Sequence, residues 1–167
     1  MVRRKRRSTQ QGEYEDPLKN YDSPTYADQT EQSLCEGQLA DLQITPFITV
    51  DVNQTVQQTL AMMAQKDIAY LMVTEGDRLV GIFSERDVLC RVANCYNQIK
   101  DEPIRQVMTT KPVSVYETDS PAKALNLMAV GGFRHLPILN VDDKIVGVLG
   151  PRRVTAHLCK HFSGPQT

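Results

Sequence analysis

The sequence predicts an α+β fold in which one strand–helix–strand–strand–helix unit is built twice in tandem. Three observations predict it. Apolar patterns recur along the chain at a fixed spacing, each copy shows the same succession of strand and helix periods, and 41% of the 167 residues are hydrophobic, enough for a core. Val50 opens the pattern V-x-x-x-x-T-V-x-x-x-L-x-x-M, which ends at Met63; Val115 opens V-x-x-x-x-S-P-x-x-x-L-x-x-M, which ends at Met128, an offset of 65 residues. Leu79-Val80-Gly81-Ile82-Phe83 then matches Ile145-Val146-Gly147-Val148-Leu149 at an offset of 66, so one residue has entered a turn. Two copies are too few for a stacked array, which leaves a pseudo-symmetric pair packed face to face.

The elements follow in order. Phe47 to Val50 is β-branched and aromatic and reads as a short strand. Asn53 to Thr55 offers turn and N-cap chemistry, and Val56, Leu60, Met63 and Ala64 recur at helical spacing. Ile68 to Thr74 and Leu79 to Phe83 read as strands joined by the tight turn Glu75-Gly76-Asp77-Arg78, which makes them antiparallel. Ser84 reads as an N-cap for a helix over Arg86 to Val92. In the second copy the strands fall at Pro112 to Val115, His135 to Asn140 and Ile145 to Leu149, and the helices at Pro121 to Val130 and Arg152 to Phe162. Pro121 directly after Ser120 is a helix start signal.

Residues 1–38 differ in composition and read as a flexible polar tail; 39–100 and 101–167 hold the two copies. The tail begins with five consecutive basic residues, Arg3 to Arg7, followed over residues 8–38 by seven acids against the single base Lys19. Its sparse apolar residues cannot offset the entropy of ordering it. The net charge of −1 argues against a globally basic nucleic-acid binder, so nucleic-acid binding is not expected beyond that local arm. No apolar run approaches the ~20 residues of a membrane span, and no apolar stretch follows the basic start, so neither a membrane segment nor a secretory signal is expected. Cys35, Cys90, Cys95 and Cys159 form neither a zinc pattern nor a disulfide framework, which fits a reducing, cytoplasmic setting. Cys90, among Val88, Leu89 and Val92, reads as a small core residue. His157 and His161 lie one helical turn apart but lack a third ligand, so no metal site is expected.

Three motifs carry a resemblance to a known family. L-V-G-I-F-S-E-R-D (79–87) resembles the G-h-x-[ST]-x-x-D signature of CBS domains, where h is apolar; V-M-T-T-K-P-V-S-V (107–115) and R-H-L-P-I-L (134–139) resemble that family's lead into its first strand and its second strand. The chain looks like a tandem CBS pair, or Bateman module, over about residues 39–162. The resemblance implies two antiparallel sheets meeting in a flat module, with a cleft on each side for an adenine nucleotide or a related molecule. Ribose would be held by the Ser/Thr and Asp of one repeat, and phosphates by basic residues of the other. It also implies a homodimer formed through helices.

Carried onto this chain, Asp87 would accept hydrogen bonds from the ribose diol and Ser84 would bond ribose or phosphate, although S-x-x-[DE] is equally a helix-capping pattern. Arg134, His135 and Arg152 would meet the phosphates, His135 gaining charge as pH falls below its ordinary pKa near 6.5. Lys111, Pro112 and Val113 would line the base, with Ile82 beneath it. The second copy departs from the signature: Gly150 stands for the Ser/Thr and Arg153 for the Asp, and a guanidinium has no acceptor for a hydroxyl. One competent site per chain is therefore expected. With no positioned nucleophile and base and no G-x-x-x-x-G-K-[ST] loop, the expectation is a non-enzymatic, ligand-sensing module. It would need no cofactor, bind AMP, ADP or ATP (S-adenosylmethionine or NAD being possible), and control a separate regulated protein. The alternative is a protein-interaction or nucleic-acid adaptor that works through Arg3–Arg7.

Overall fold

The computed structural model describes residues 24–42 and 46–162, and side chains as far as residue 159. The run Arg3–Arg7 and most of the expected tail lie outside the described residues, as does the His161 side chain. The tail's end is ordered. Gln29–Glu36 forms helix α1, capped by the Asp28 carboxylate on the Glu31 amide, and a 3-10 turn follows at Leu39–Asp41. α1 packs against the helices of the second copy, and Thr30 is buried beneath it.

The first copy runs β1 (Thr49–Asp51), α2 (Val56–Lys66), β2 (Tyr70–Glu75), β3 (Arg78–Ser84) and a short helical stretch, α3 (Glu85–Asp87). α3 continues as a π-helical turn over Val88–Val92, and α4 (Tyr96–Ile99) and a 3-10 turn at Ile104–Gln106 follow. β4 (Thr109–Thr110) and β5 (Val115–Tyr116) lead into α5 (Pro121–Gly131), β6 (Leu136–Leu139), β7 (Ile145–Leu149) and α6 (Pro151–Phe162). The expected α+β class holds. Of the strand expected at Pro112 to Val115 only Val115 lies in a strand, β5, while β4 forms just before the expected span. Lys111 between them sits at φ 47° and Pro112 has no N–H to offer a ladder.

Helix ends follow the sequence closely. α2 opens with a reciprocal Thr55–Gln58 capping box and closes at Asp67 in the left-handed conformation; α5 opens on Ser120 with Pro121 and closes at left-handed Gly132. Gly76, at φ 60°, makes the β2–β3 turn. Among the described residues the strands form two sheets, ordered β1-β2-β3-β4 and β5-β6-β7. Both are mixed rather than antiparallel: β1 runs parallel to β2 and β5 to β6, while β2–β3 and β6–β7 are antiparallel hairpins. The mixture follows from placing a helix between the first two strands of each copy.

The cores do not respect the sequence repeat. Ile104, Val107 and Met108, which lead into the second copy, pack in the first core with Val50, Val56, Leu71, Val73 and Phe83. Leu39 and Leu42, which lead into the first copy, pack in the second core with Val115, Ala124, Leu136, Ile138 and Leu149. The exchange is reciprocal down to the backbone. Leu39 and Ala40 amides donate to the Asp119 and Glu117 carbonyls (both 2.9 Å), and Ile104 and Arg105 amides, 65 residues on, donate to Gln54 and Val52 (2.8 and 3.3 Å). β4 then pairs with β3, Ile82 facing Thr109 and Gly81 facing Thr110. Gly81 permits that approach, since a Cβ there would stand 2.4 Å from Met108 Sδ and 3.0 Å from the Thr109 carbonyl.

Leu39 precedes both sheets in sequence yet is fully buried in the distant core. Leu39→Ala should therefore lower unfolding free energy by about 2–5 kcal/mol, as a buried leucine does. Leu89→Ala, at a side chain 71% exposed, should change it by about 0.5 kcal/mol or less. Urea denaturation of the two variants checks this; equal effects would contradict the exchanged core.

Candidate functional site

The seam between β3 and β4 gathers the signature residues. Ser84 ends β3 and Asp87 closes the α3 turn, with 6% of its surface exposed. Asp87 Oδ2 accepts hydrogen bonds from the Ser84 amide (3.0 Å) and from Ser84 Oγ (2.7 Å). Oδ1 accepts one from Thr109 Oγ1 (2.8 Å) and lies 3.3 Å from Arg91 Nη1. A buried carboxylate without such partners would cost several kcal/mol, and this one has three hydrogen bonds and the Arg91 ion pair. Asp87 thus closes back on the Ser84 amide, as the capping reading of the two residues expects.

The neighbours expected for a base also meet here. Ile82 is half-buried on β3 opposite Thr109, Lys111 donates its amide to the Val80 carbonyl (3.2 Å), and Pro112 and the exposed Val113 follow. Sequence reasoning missed two members. Thr109 stands in the quoted V-M-T-T-K-P-V motif, and Arg91 stands four residues after Asp87, the spacing of a helical ion pair.

The helix expected at Arg86 to Val92 is instead one α-turn followed by the π-helical turn, whose Ala93 amide donates to the Val88 carbonyl (2.9 Å). Cys90 is exposed here, contrary to the core role read from the sequence. The wider turn gives the buried side to Val92 and, in part, to Val88.

The basic residues of the second copy are spread out. Arg134 and Arg152 are exposed, at the approach to β6 and in the first turn of α6. His135 is half-buried, and its ring lies over Tyr70 with centroids 4.2 Å apart. Tyr70 is paired with Ser84, which brings His135 close to the signature. Burial, then the adjacent Arg134 charge, hold the His135 pKa below the ordinary value, with Glu85 opposing them. The ring is therefore neutral near pH 7 and can offer a phosphate one N–H but no charge. At Gly150 an added Cβ would stand 3.3 Å from His135 Cδ2, so the position equivalent to Ser84 leaves room for this ring.

The family match decides the kinship. The CBS domain model matches residues 39–94 and 104–160. The chain belongs to the CBS-domain family. It is 30% identical over 115 residues to a 17.7 kDa protein of Acidianus ambivalens, covering 68% of each chain. It is 31% identical over 109 residues to the CBS domain-containing protein YhcV of Bacillus subtilis, covering 65% of this chain and 76% of that one. The match to the CBS domain-containing protein CBSCBSPB1 of Arabidopsis thaliana, 28% identical, spans only 19% of that protein.

Among solved structures, the CBS-pair protein CBSX2 of Arabidopsis thaliana superposes with a TM-score of 0.67 at 22% identity, covering 76% of this chain and 97% of that one. The CBS domain protein PAE2072 of Pyrobaculum aerophilum, determined with AMP, gives 0.63 at 23%, covering 74% and 98%. CBSX2 has also been determined with AMP, at 0.64 and 23%, covering 74% and 96%. These structures establish the tandem CBS fold.

The open groove of about 640 Å³ on the CBS pair does not contain Asp87. It is mainly apolar, formed by Leu60, Met63 and Ile68 on the α2 side and by Val88 and Leu89 of the π-turn, with Asp67 and Glu85 also lining it. Among the described residues no cluster of three or more His, Cys, Asp or Glu could hold a metal, and His157 Nε2 lies 3.0 Å from Ser33 Oγ. No described helix is long and apolar enough to cross a membrane.

The depressed His135 pKa fixes a pH dependence. The unfolded ring takes up its proton near pH 6.5 and the folded ring at lower pH. Between those values the unfolded chain binds more protons, so stability conferred by neutral His135 is full above about pH 6.5 and is lost as pH falls through the folded pKa. Thermal melts from pH 8 to 5 should show a falling midpoint below about 6.5, with a shallower fall in His135→Gln. Parallel curves for the two proteins would contradict the stacked, neutral ring.

Proposed function

We propose that this CBS pair is a non-enzymatic module that binds an adenine nucleotide at the β3–β4 seam and controls a separate protein. The observation that carries the reading is the buried Asp87 carboxylate, surrounded by donors and adjoining the Lys111–Val113 segment. Ribose hydroxyls are donors and can take the place of Thr109 and Arg91 on Oδ1. Ile82, Lys111, Pro112 and Val113 line the base, and Arg134, with Arg152, meets the phosphate, His135 adding a neutral donor. Support comes from two fold relatives determined with AMP, CBSX2 and PAE2072. The chain acts as a homodimer in this reading, in a cytoplasmic setting, and no cofactor takes part.

The equivalent cleft of the second repeat has Gly150 and Arg153 in the signature places and a histidine ring against Gly150. Calorimetry should therefore give one AMP per chain. Asp87→Ala should weaken binding by roughly 1.5–3 kcal/mol, the range for hydrogen bonds to a charged group. Because Asp87 also caps α3, 2′-deoxy-AMP on the unmodified protein is the control and should bind more weakly than AMP. Two equivalent sites, or equal binding of AMP and its deoxy form, would refute the ribose role.

Arg134 is exposed. Arg134→Ala should therefore reduce the preference for AMP over adenosine by about tenfold while adenosine affinity stays unchanged. A variant that weakens both ligands alike would remove Arg134 from the phosphate.

A further inference from the structure

Arg91, which the nucleotide reading uses only as a partner to be displaced from Asp87, stands at a junction. Its Nη1 donates to the Met108 carbonyl at 2.6 Å and to the Val107 carbonyl at 3.1 Å, and lies 3.3 Å from Asp87 Oδ1. An Nη nitrogen carries two protons, and here it faces three acceptors. The two carbonyls take the shorter contacts, so the carboxylate is held mainly by charge. Those carbonyls belong to the segment that leads into β4, whose apolar side chains fill the first core. Arg91 itself sits in the π-helical turn, and Val88 and Leu89 of that turn form one wall of the apolar groove. One side chain, 46% exposed, thus touches the signature carboxylate and the segment that leads into β4, and it belongs to the turn that forms the groove wall. Single π-turns inserted in helices are often found at functional sites.

We propose that Arg91 is a latch: with the site empty it ties the 107–111 segment to Asp87, and a ribose bound at Asp87 displaces it and re-registers the turn at Val88–Val92. This rests on the nucleotide reading for its second half only. Asp87 is nearly closed to solvent and both its oxygens are hydrogen-bonded, so a diol can enter only by exchange with donors already present. Ser84 supplies its two bonds from the same turn. Thr109 and Arg91 reach Oδ1 from farther along the chain and are the ones that can leave. Arg91 then keeps the Val107 and Met108 carbonyls and loses the carboxylate. The pull on the turn changes, and the turn lines the groove. The residue acts through Asp87 and the strand; it is a positioning residue.

Amide hydrogen exchange on the full chain separates the two halves. Without ligand, Arg91→Met should speed exchange of the 107–111 segment at least tenfold, while the β6–β7 hairpin stays within twofold of the parent protein. Unchanged exchange at 107–111, or equal acceleration everywhere, overturns the latch. Saturating AMP should change exchange over 88–93 of the parent protein by threefold or more, and the same addition to Arg91→Met should leave it unchanged. That variant should bind AMP as tightly as the parent or more tightly, since nothing has to be displaced. A folded Arg91→Met that loses more than tenfold in affinity, or that retains the AMP response at 88–93, overturns the release. If the parent does not bind AMP, the nucleotide reading fails with it, and the ligand-free comparison alone decides the latch. Arg91→Lys is the second variant if the methionine does not fold; it keeps the charge but cannot reproduce the planar fork. It should give faster exchange at 107–111 than the parent, and exchange equal to the parent's overturns the latch.

Discussion

The structure depends on a trade. Each repeat hands its lead-in segment to the other, so Leu39 and Leu42 complete the second core while Ile104, Val107 and Met108 complete the first. Small cores are marginal, and removing two or three fully buried apolar side chains from one costs several kcal/mol each. The exchange therefore holds the repeats together more firmly than contact between finished surfaces would. It also satisfies backbone groups, since the 3-10 turns at Leu39–Asp41 and Ile104–Gln106 place amides on carbonyls of the opposite copy.

The site follows from that trade. Because the 101–110 segment must run through the first core, β4 emerges beside β3, and its Thr109 hydroxyl lands on Asp87. A carboxylate that would be a surface helix cap becomes a buried group with three hydrogen bonds and an ion pair. The second copy has gone the other way. Where the first keeps a hydroxyl at Ser84, the second has Gly150, and the space goes to an imidazole stacked on Tyr70. Equivalent positions serve a polar cluster in one copy and packing in the other.

Much of this was legible in the sequence. The offset of Val50 to Val115 and of Met63 to Met128 fixes the duplication, and Thr55 and Ser120 mark both helix starts where the structure has them. The same offset relates Leu39 to Ile104 and Leu42 to Val107, yet periodicity cannot say which core a side chain enters. α1 escaped notice because Gln29–Glu36 carries few apolar residues, and so short a helix depends on packing against α5 and α6. The π-turn escaped because its sequence, Val88-Leu89-Cys90-Arg91-Val92, satisfies a helical pattern equally well; the one extra residue in the turn exposes Cys90. The sequence alone assigns His135 the ordinary pKa near 6.5, whereas burial, then the Arg134 charge, hold it lower.

The crossed lead-ins make the pair indivisible. Division of the chain between Lys100 and Asp101, where the sequence repeat would place a border, leaves the first half without three core side chains and its edge strand, and the second without two. Each CBS repeat thus relies on the other to complete its core. The second copy carries Gly150 and Arg153 in the signature places and still supplies Ile104, Val107 and Met108 to the first core, so what it lends to its twin does not depend on that signature.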